Sequence, residues 1–214
     1  MIEEDDFAQE PIKGLPQALP EGEEILWQGR PDTWALMRDA LSIRGVMIWF
    51  GLLFLARAAV LSAVLDLPVA IASASLMLIF GALACGILWL IGRAMARLTV
   101  YTITDRRVVM RIGVALTMTL NIPFNKLSAA NLETKRDGTG TIAFQTVGGM
   151  RFSYLVLWPH LRPWRFARTE PALRCIPDAA KVARLLAEVA EPEIAKPEIT
   201  RVSPTGPGSL AAAE

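Results

Sequence analysis

Histidine and cysteine are scarce in this chain. Its 214 residues include one histidine, His160, and two cysteines, Cys85 and Cys175, with no C-x-x-C pair. This supply of ligands argues against a structural zinc site and against a disulfide framework. Ser153 has no companion Asp–His motif, and the sequence contains no glycine-rich phosphate loop. We therefore expect no enzyme, no catalytic residue and no bound metal.

The chain also lacks a strong net charge. Twenty-two Lys and Arg face 21 Asp and Glu, which leaves +1 and argues against a strongly basic nucleic-acid binder. The balance hides an asymmetry, because residues 1–24 carry a net charge of −7 and the remainder +8. The sequence therefore predicts an acidic arm in front of a basic body.

Charge is missing altogether from residues 67–92, although 53% of the whole chain is hydrophobic. At about 1.5 Å per residue, such a helix crosses a hydrocarbon core of roughly 30 Å. Residues 45–65 are equally apolar apart from Arg57, and Trp49 and Trp89 stand near the outer ends of the two segments. We predict two membrane-spanning helices.

Only Asp66 separates the two segments, so they are predicted to form a tight hairpin. The turn carries no Lys or Arg, whereas Arg44 and its neighbours precede the hairpin and Arg93 and Arg97 follow it. By the positive-inside rule, both termini are cytoplasmic. We expect a multi-pass membrane protein.

Arg57 allows two interpretations. An ionised side chain inside a span often marks a functional site, but Arg57 is close enough to the turn to extend its side chain to the interface. Small residues in the second span favour close helix packing rather than chemistry. These are Ser73, Ser75, Gly81 and Gly86.

After the hairpin the hydrophobic period changes to two, which is typical of strands with one buried face. Six antiparallel strands joined by tight turns predict a small sandwich or open barrel. The strands are predicted at residues 98–104, 108–112, 116–122, 129–135, 141–147 and 151–157.

One helix is predicted after the strands. Asp178 can cap it, an apolar stripe runs from Val182 to Val189, and Pro192 is expected to end it. Upstream of the hairpin, residues 25–27 favour a short strand packed on the sandwich, and residues 34–41 a short amphipathic helix at the interface. The predicted units are a mostly disordered arm (1–24), a juxtamembrane segment (25–42), the hairpin (43–92), the sandwich with its helix (93–191) and a disordered tail (192–214).

Two sequence runs resemble the bacterial PH-like domain family. They are YTITDRRVV at 101–109, followed by Gly113 and the Ile122–Pro123 pair, and LPEGE with WQGRP at 19–31. The run WPHLRPWR at 158–165 is similar to the PuhB-type photosynthetic complex assembly proteins of purple bacteria within that family. The resemblance covers residues 19 to about 190.

The resemblance implies a PH-like sandwich capped by one helix and a role in assembly without catalysis. It implies reaction-centre subunits as partners, the H subunit first, with light-harvesting subunits and a second copy of the chain left open. Membrane lipids are a further expected contact. No resident cofactor is implied.

His160 and its neighbours Trp158, Arg162 and Trp164 form the first candidate site. An imidazole can bind the magnesium of a bacteriochlorophyll, and the tryptophans could cover the macrocycle, which would make the protein a pigment carrier. The alternative is a proline-stiffened loop in which His160 is hydrogen-bonded locally.

Arg106 and Arg107, at a predicted turn between strands, form the second candidate site. Cations near an anionic leaflet each contribute on the order of 1 kcal/mol of attraction. A regulatory module that binds lipid headgroups is therefore a rival to the assembly factor, and plain solvation of the turn is the simpler alternative.

The predicted topology can be tested by replacing Asp66 with cysteine. Because the turn should lie outside the cytoplasm, we expect Asp66→Cys to react with a membrane-impermeant maleimide in spheroplasts. A cysteine replacing Asp178 should react only after lysis. Labelling of position 66 from the cytoplasmic side alone would overturn the topology.

Overall fold

The computed structural model describes residues 14–15, 19–114, 117–147, 153–163, 165 and 169–194. These ranges form an α+β fold with two long apolar helices and two antiparallel sheets. The strands are β1 Ile25–Gly29, β2 Val100–Thr104, β3 Arg107–Ile112, β4 Met118–Pro123, β5 Leu127–Thr134, β6 Gly140–Thr146 and β7 Ala172–Ile176. The helices are α1 Thr33–Asp39, α2 Ile43–Leu61, α3 Leu67–Ala74, α4 Leu76–Leu98, α5 Tyr154–Leu157 and α6 Ala179–Ile194.

The first sheet has the order β1-β2-β3-β4. Its first strand precedes the helical hairpin in sequence, and its second follows it, with Gly29 opposite Tyr101. The sheet therefore joins chain segments on both sides of the hairpin. A domain confined to residues 93–191 is consequently too short, because β1 is one of its strands.

The second sheet has the order β5-β6-β7. The prediction of a strand over residues 151–157 is wrong, since residues 154–157 form the single-turn helix α5. The run Tyr-Leu-Val-Leu does not alternate, and short apolar runs do not distinguish a strand from a helix. The third strand is β7, where Leu173 lies opposite Ile142; it went unpredicted because all five of its residues are buried and none alternates.

The core lies between the two sheets and α6. Val182 and Leu186 of α6 are buried in it, and Leu185 and Val189 pack against it, so the predicted apolar stripe does face the sheets. The helix continues past Pro192 to Ile194, although Pro192 was predicted to end it. The difference lies within the last turn, where helix ends vary by one or two residues. Large buried members of the core are Tyr101, Ile103, Met110, Ile122, Phe124, Phe144 and Leu173.

Two helical stretches are long and apolar enough to cross a membrane, Ile43–Leu61 and Leu67–Leu98. The second is interrupted at Ser75, which separates α3 from α4. Its 32 residues would span about 48 Å, more than the roughly 30 Å of a hydrocarbon core. The C-terminal turns of α4 therefore extend beyond the length that a membrane needs.

Helix α1 packs on those last turns of α4. Met37 and Leu41 lie against Gly92, and Ala35 and Leu36 share a buried cluster with Ala96. The helix predicted near residues 34–41 is thus present as α1. Its apolar face is buried against the protein itself, while Trp34 is exposed.

The two long helices meet closely at Gly81. A Cβ at this position would lie 2.8 Å from Cβ of Phe50 on α2, closer than van der Waals contact allows. Close packing is therefore confirmed at Gly81, whereas at Gly86 a Cβ would meet nothing within 4 Å in the described part of the chain. The other tight positions are Ala70 and Ala74, which are fully buried.

Gly81 and Gly86 offer a matched pair of substitutions on one helix. We expect Gly81→Val to lower the free energy of unfolding by about 1–3 kcal/mol more than Gly86→Val, because only the first overpacks the helix contact. Circular dichroism during unfolding in mixed detergent micelles measures both. Equal losses would contradict this account of the hairpin.

Candidate functional site

His160 is buried beneath the end of α4. Its Nδ1 lies 2.5 Å from the Tyr101 hydroxyl on β2, and its Nε2 lies 3.2 Å from Oγ1 of Thr99, the residue that follows α4. The backbone N–H of Arg174 on β7 donates to the same Tyr101 oxygen at 3.3 Å. The His160 ring therefore ties both sheets to the end of α4.

These partners permit a neutral imidazole with its proton on Nε2. The Tyr101 hydroxyl, which accepts from the Arg174 N–H, can donate its own proton to Nδ1, and Nε2–H can donate to Thr99. Burial, and to a smaller extent the charge of Arg174, lowers the pKa of His160 to about 3. Burial likewise raises the pKa of Tyr101. Both groups are neutral at physiological pH.

This geometry does not support the pigment hypothesis. Both imidazole nitrogens of His160 already have protein partners, so neither is available to a magnesium ion. Trp158 is half-exposed and is joined to Pro159 by a cis peptide. Trp164 lies outside the described residues. The arrangement agrees with the alternative interpretation, in which His160 is hydrogen-bonded within its own domain and binds no pigment.

Arg162 has a structural partner of its own. Its guanidinium donates to the buried carboxylate of Glu170 at 3.0 Å, and its backbone N–H donates to the Glu170 carbonyl at the same distance. The side chain of Arg165 also lies 3.6 Å from that carboxylate. Arg162 therefore fastens the loop before β7.

Arg107 is paired within the chain. Its guanidinium donates two hydrogen bonds to Glu23, at 2.7 and 2.8 Å. The Glu23 side chain is only 2% exposed and that of Arg107 25%. Glu23 belongs to the acidic arm, which at this point therefore neutralises the protein's own basic face.

Arg106 and Arg107 lie at the end of the first sheet that is far from α4. They follow the end of β2, which starts at Val100 next to α4 and runs for five residues. At about 3.3 Å per residue, the turn lies more than 13 Å along the strand from α4. Arg106 is exposed there and donates to the Gly22 carbonyl at 3.2 Å.

Arg57 is exposed in the last turns of α2. It is four residues from the end of that helix, so its long side chain can extend to the membrane face at which the predicted hairpin turn lies. Both interpretations of Arg57 remain predictions.

A charge cluster that sequence analysis missed fixes the end of α1 to the second sheet. The Asp39 carboxylate accepts from Arg38 at 2.8 Å and lies 3.0 Å from the Lys135 ammonium. Arg38 also donates to Asp137 at 2.6 Å, and buried Arg174 donates to the Asp39 carbonyl at 2.8 Å. Arg38 and Asp137 are 99 positions apart, so no local pattern could have indicated the contact.

The pKa values follow these contacts. Burial raises the pKa of Asp39, but hydrogen bonds from Arg38 and Lys135 outweigh it and leave the value below the ordinary one. Hydrogen bonds to Asp39 and Asp137 raise the pKa of Arg38. The pKa of Asp137 is lowered by its hydrogen bonds with Thr139 and then with Arg38.

An apolar groove of about 500 Å³ lies between β5 and α6. In the described part of the chain, β5 pairs with β6 on one side and with no strand on the other. The groove therefore runs beside an open sheet edge. Its lining residues are Leu127, Ala129, Ala130, Leu132, Ile142, Ala183, Leu186, Ala187, Ala190 and, as the one charged member, Glu191.

A β module of two sheets closed by a C-terminal helix, carried on an apolar hairpin, defines a PH-like class of protein. The chain belongs to the bacterial PH domain family, whose model, described as "Bacterial PH domain", matches residues 46–190. A Rhodobacter capsulatus protein described as "Uncharacterized 23.7 kDa protein in puhA 5'region" is 45% identical over 217 residues, 98% of each chain. No solved structure gives a significant match.

The buried His160 predicts how stability depends on pH. The pKa of an unfolded histidine is near 6.5, whereas that of the folded His160 is about 3. Between these two pH values the unfolded chain therefore binds one proton more than the folded chain. The contribution is fully present above about pH 6.5 and is lost as the pH falls towards 3. Between pH 7.5 and 5 the free energy of unfolding should fall by about 2 kcal/mol.

His160→Gln provides the control for this prediction. Since His160 is the only histidine, the variant should lose the pH dependence between pH 7.5 and 5, even though it is less stable throughout. Denaturant titrations at a series of pH values measure both slopes. A wild-type stability that is flat over this interval would contradict a buried neutral His160.

Proposed function

We propose that the protein is a membrane-anchored assembly factor of the PuhB type for the photosynthetic reaction centre and its light-harvesting complex. It acts through protein–protein contacts and without catalysis. The observation that carries the proposal is the apolar groove beside the open edge of β5, on a domain fixed to an apolar hairpin. The likeness of residues 158–165 to PuhB-type proteins supplies the photosynthetic context.

The hairpin is the proposed anchor. Its outward side chains are large and apolar, among them Ile48, Leu55, Leu83 and Leu90. In water such an apolar surface would promote aggregation, whereas a bilayer or the membrane helices of a partner would cover it. The turn at residues 62–66 then lies outside the cytoplasm and both termini lie inside, in the bacterial inner or intracytoplasmic membrane.

The groove is the proposed contact with a cytoplasmic partner. An extended segment can add a strand to an open sheet edge, with alternate side chains entering an adjacent apolar groove. Glu191 at the rim favours a segment that also carries a basic residue. The partner that the resemblance suggests first is the reaction-centre H subunit, with a light-harvesting subunit second.

The Rhodobacter relative supports the same context. Its description places it in the 5′ region of puhA, whose designation shares the puh prefix with PuhB-type proteins. The aligned region covers 98% of both chains and therefore includes the hairpin segment as well as the domain.

The proposal predicts the phenotype of a deletion strain. Assembled reaction centre should fall severalfold while bacteriochlorophyll synthesis continues, because the factor acts on assembly and not on pigment synthesis. Membrane absorption spectra and pigment extraction measure the two quantities. Normal reaction-centre levels would refute the proposed function.

Two complementing variants then test the groove. Ala187→Glu places a carboxylate in the groove one turn from Glu191, whereas Lys181→Glu places one on the exposed side of the same helix. We expect only Ala187→Glu to lose crosslinking to the H subunit. If both variants crosslink like the wild type, the groove is not the contact, even where the deletion phenotype holds.

A further inference from the structure

The turn between β3 and β4 has an unusual composition for a surface turn. No charged residue occurs from Ile112 to Asn125, and the turn itself reads GVALT. Surface turns are normally polar. Val114 is nevertheless 49% exposed and Met118 40% exposed. Ala115 and Leu116, between them, lie outside the described residues.

Strand register places this turn next to the hairpin. Helix α4 ends at Leu98 and β2 begins at Val100. Arg111 of β3 lies opposite Val100, and α4 contacts β3. Strand β3 therefore runs back towards the hairpin, and its last residue, Ile112, lies opposite Met118 at the start of β4.

The Trp89–Arg93 pair marks the proposed level of the membrane surface on α4. The Arg93 guanidinium lies 5.3 Å from the centre of the Trp89 ring, a pair suited to the interface between lipid and water. From Arg93 to Thr99, α4 extends about 9 Å beyond that level. Arg111 lies opposite Val100, so Ile112, the last residue of β3, lies beyond the start of β2 on the side of α4. Gly113 and Val114 follow at that end of the sheet.

Three exposed apolar side chains lie at the end of the sheet next to α4, one of them adjacent in sequence to the exposed Arg97. The end next to α4 carries Val114, Met118 and Leu98, which is 46% exposed. The opposite end carries Asp105 and Arg106, both charged and accessible. Exposed apolar side chains beside an apolar hairpin are suited to the same lipid interface.

We infer that the β3–β4 turn is a second membrane contact, which inserts Val114 and Met118 into the lipid interface. The inference rests on the proposed membrane anchoring of the hairpin. Burial of two such side chains in lipid adds to the attachment. Its main consequence is orientation, because a second contact stops the domain from tilting about the end of α4.

Depth-dependent quenching in reconstituted full-length protein tests the inference. Single cysteines replace Val114, Met118, Arg106 or Leu83 in a Cys85→Ala background, and each carries an environment-sensitive fluorophore. Native Cys175 is buried, and the parent without an introduced cysteine measures any labelling of it. The vesicles contain phosphatidylcholine and phosphatidylglycerol, with nitroxide-labelled lipids of shallow or deep position.

We expect the shallow nitroxide to quench the labels at 114 and 118 severalfold more strongly than the label at 106. The deep nitroxide should quench the label at 83. If 83 is quenched but 114 and 118 behave like 106, the turn does not touch the membrane, although the hairpin spans it. An unquenched label at 83 removes the membrane hairpin and this inference together.

Discussion

The connection between α4 and β2 is the constraint on which the rest of the structure depends. Only Thr99 separates Leu98, at the end of the apolar helix, from Val100, at the start of the strand. So short a connection leaves the sheet little freedom to swing relative to the hairpin. The positions of β1, the β2–β3 turn and the β3–β4 turn follow from it through strand register.

Polar groups buried around Thr99 strengthen this constraint. The His160 ring is hydrogen-bonded to Thr99 and to Tyr101, and the Tyr101 hydroxyl accepts from the backbone N–H of Arg174 on the second sheet. The Arg174 guanidinium donates to the Asp39 carbonyl at the end of α1. Each buried group has a partner, so the network costs little desolvation that is not recovered. Removing one member leaves the others unsatisfied, and for that reason His160 acts as a structural residue.

Sequence periodicity indicated the parts of the fold that are repetitive and local. The charge-free run at 67–92, the alternation at 116–122 and the stripe from Val182 to Val189 each correspond to an observed element. Strand β7 could not be recognised in this way, because burial on both faces removes alternation. The interruption between α3 and α4 at Ser75 could not be predicted either, because the segment is uniformly apolar on both sides of it.

The candidate sites depend on ion pairs and hydrogen bonds between residues that are far apart in sequence. Composition does not indicate such pairs. Arg107 was expected at a membrane surface because it is basic, but Glu23, 84 residues away, neutralises it. The same contact shows that part of the acidic arm belongs to the fold. The Glu23–Arg107 pair lies at the end of the first sheet far from the hairpin, whereas Val114 and Met118 are exposed at the near end. With the hairpin anchored in a membrane as proposed, the short connection between α4 and β2 would set the orientation of the sheet. It would then also set the direction in which the groove between β5 and α6 faces the proposed partner.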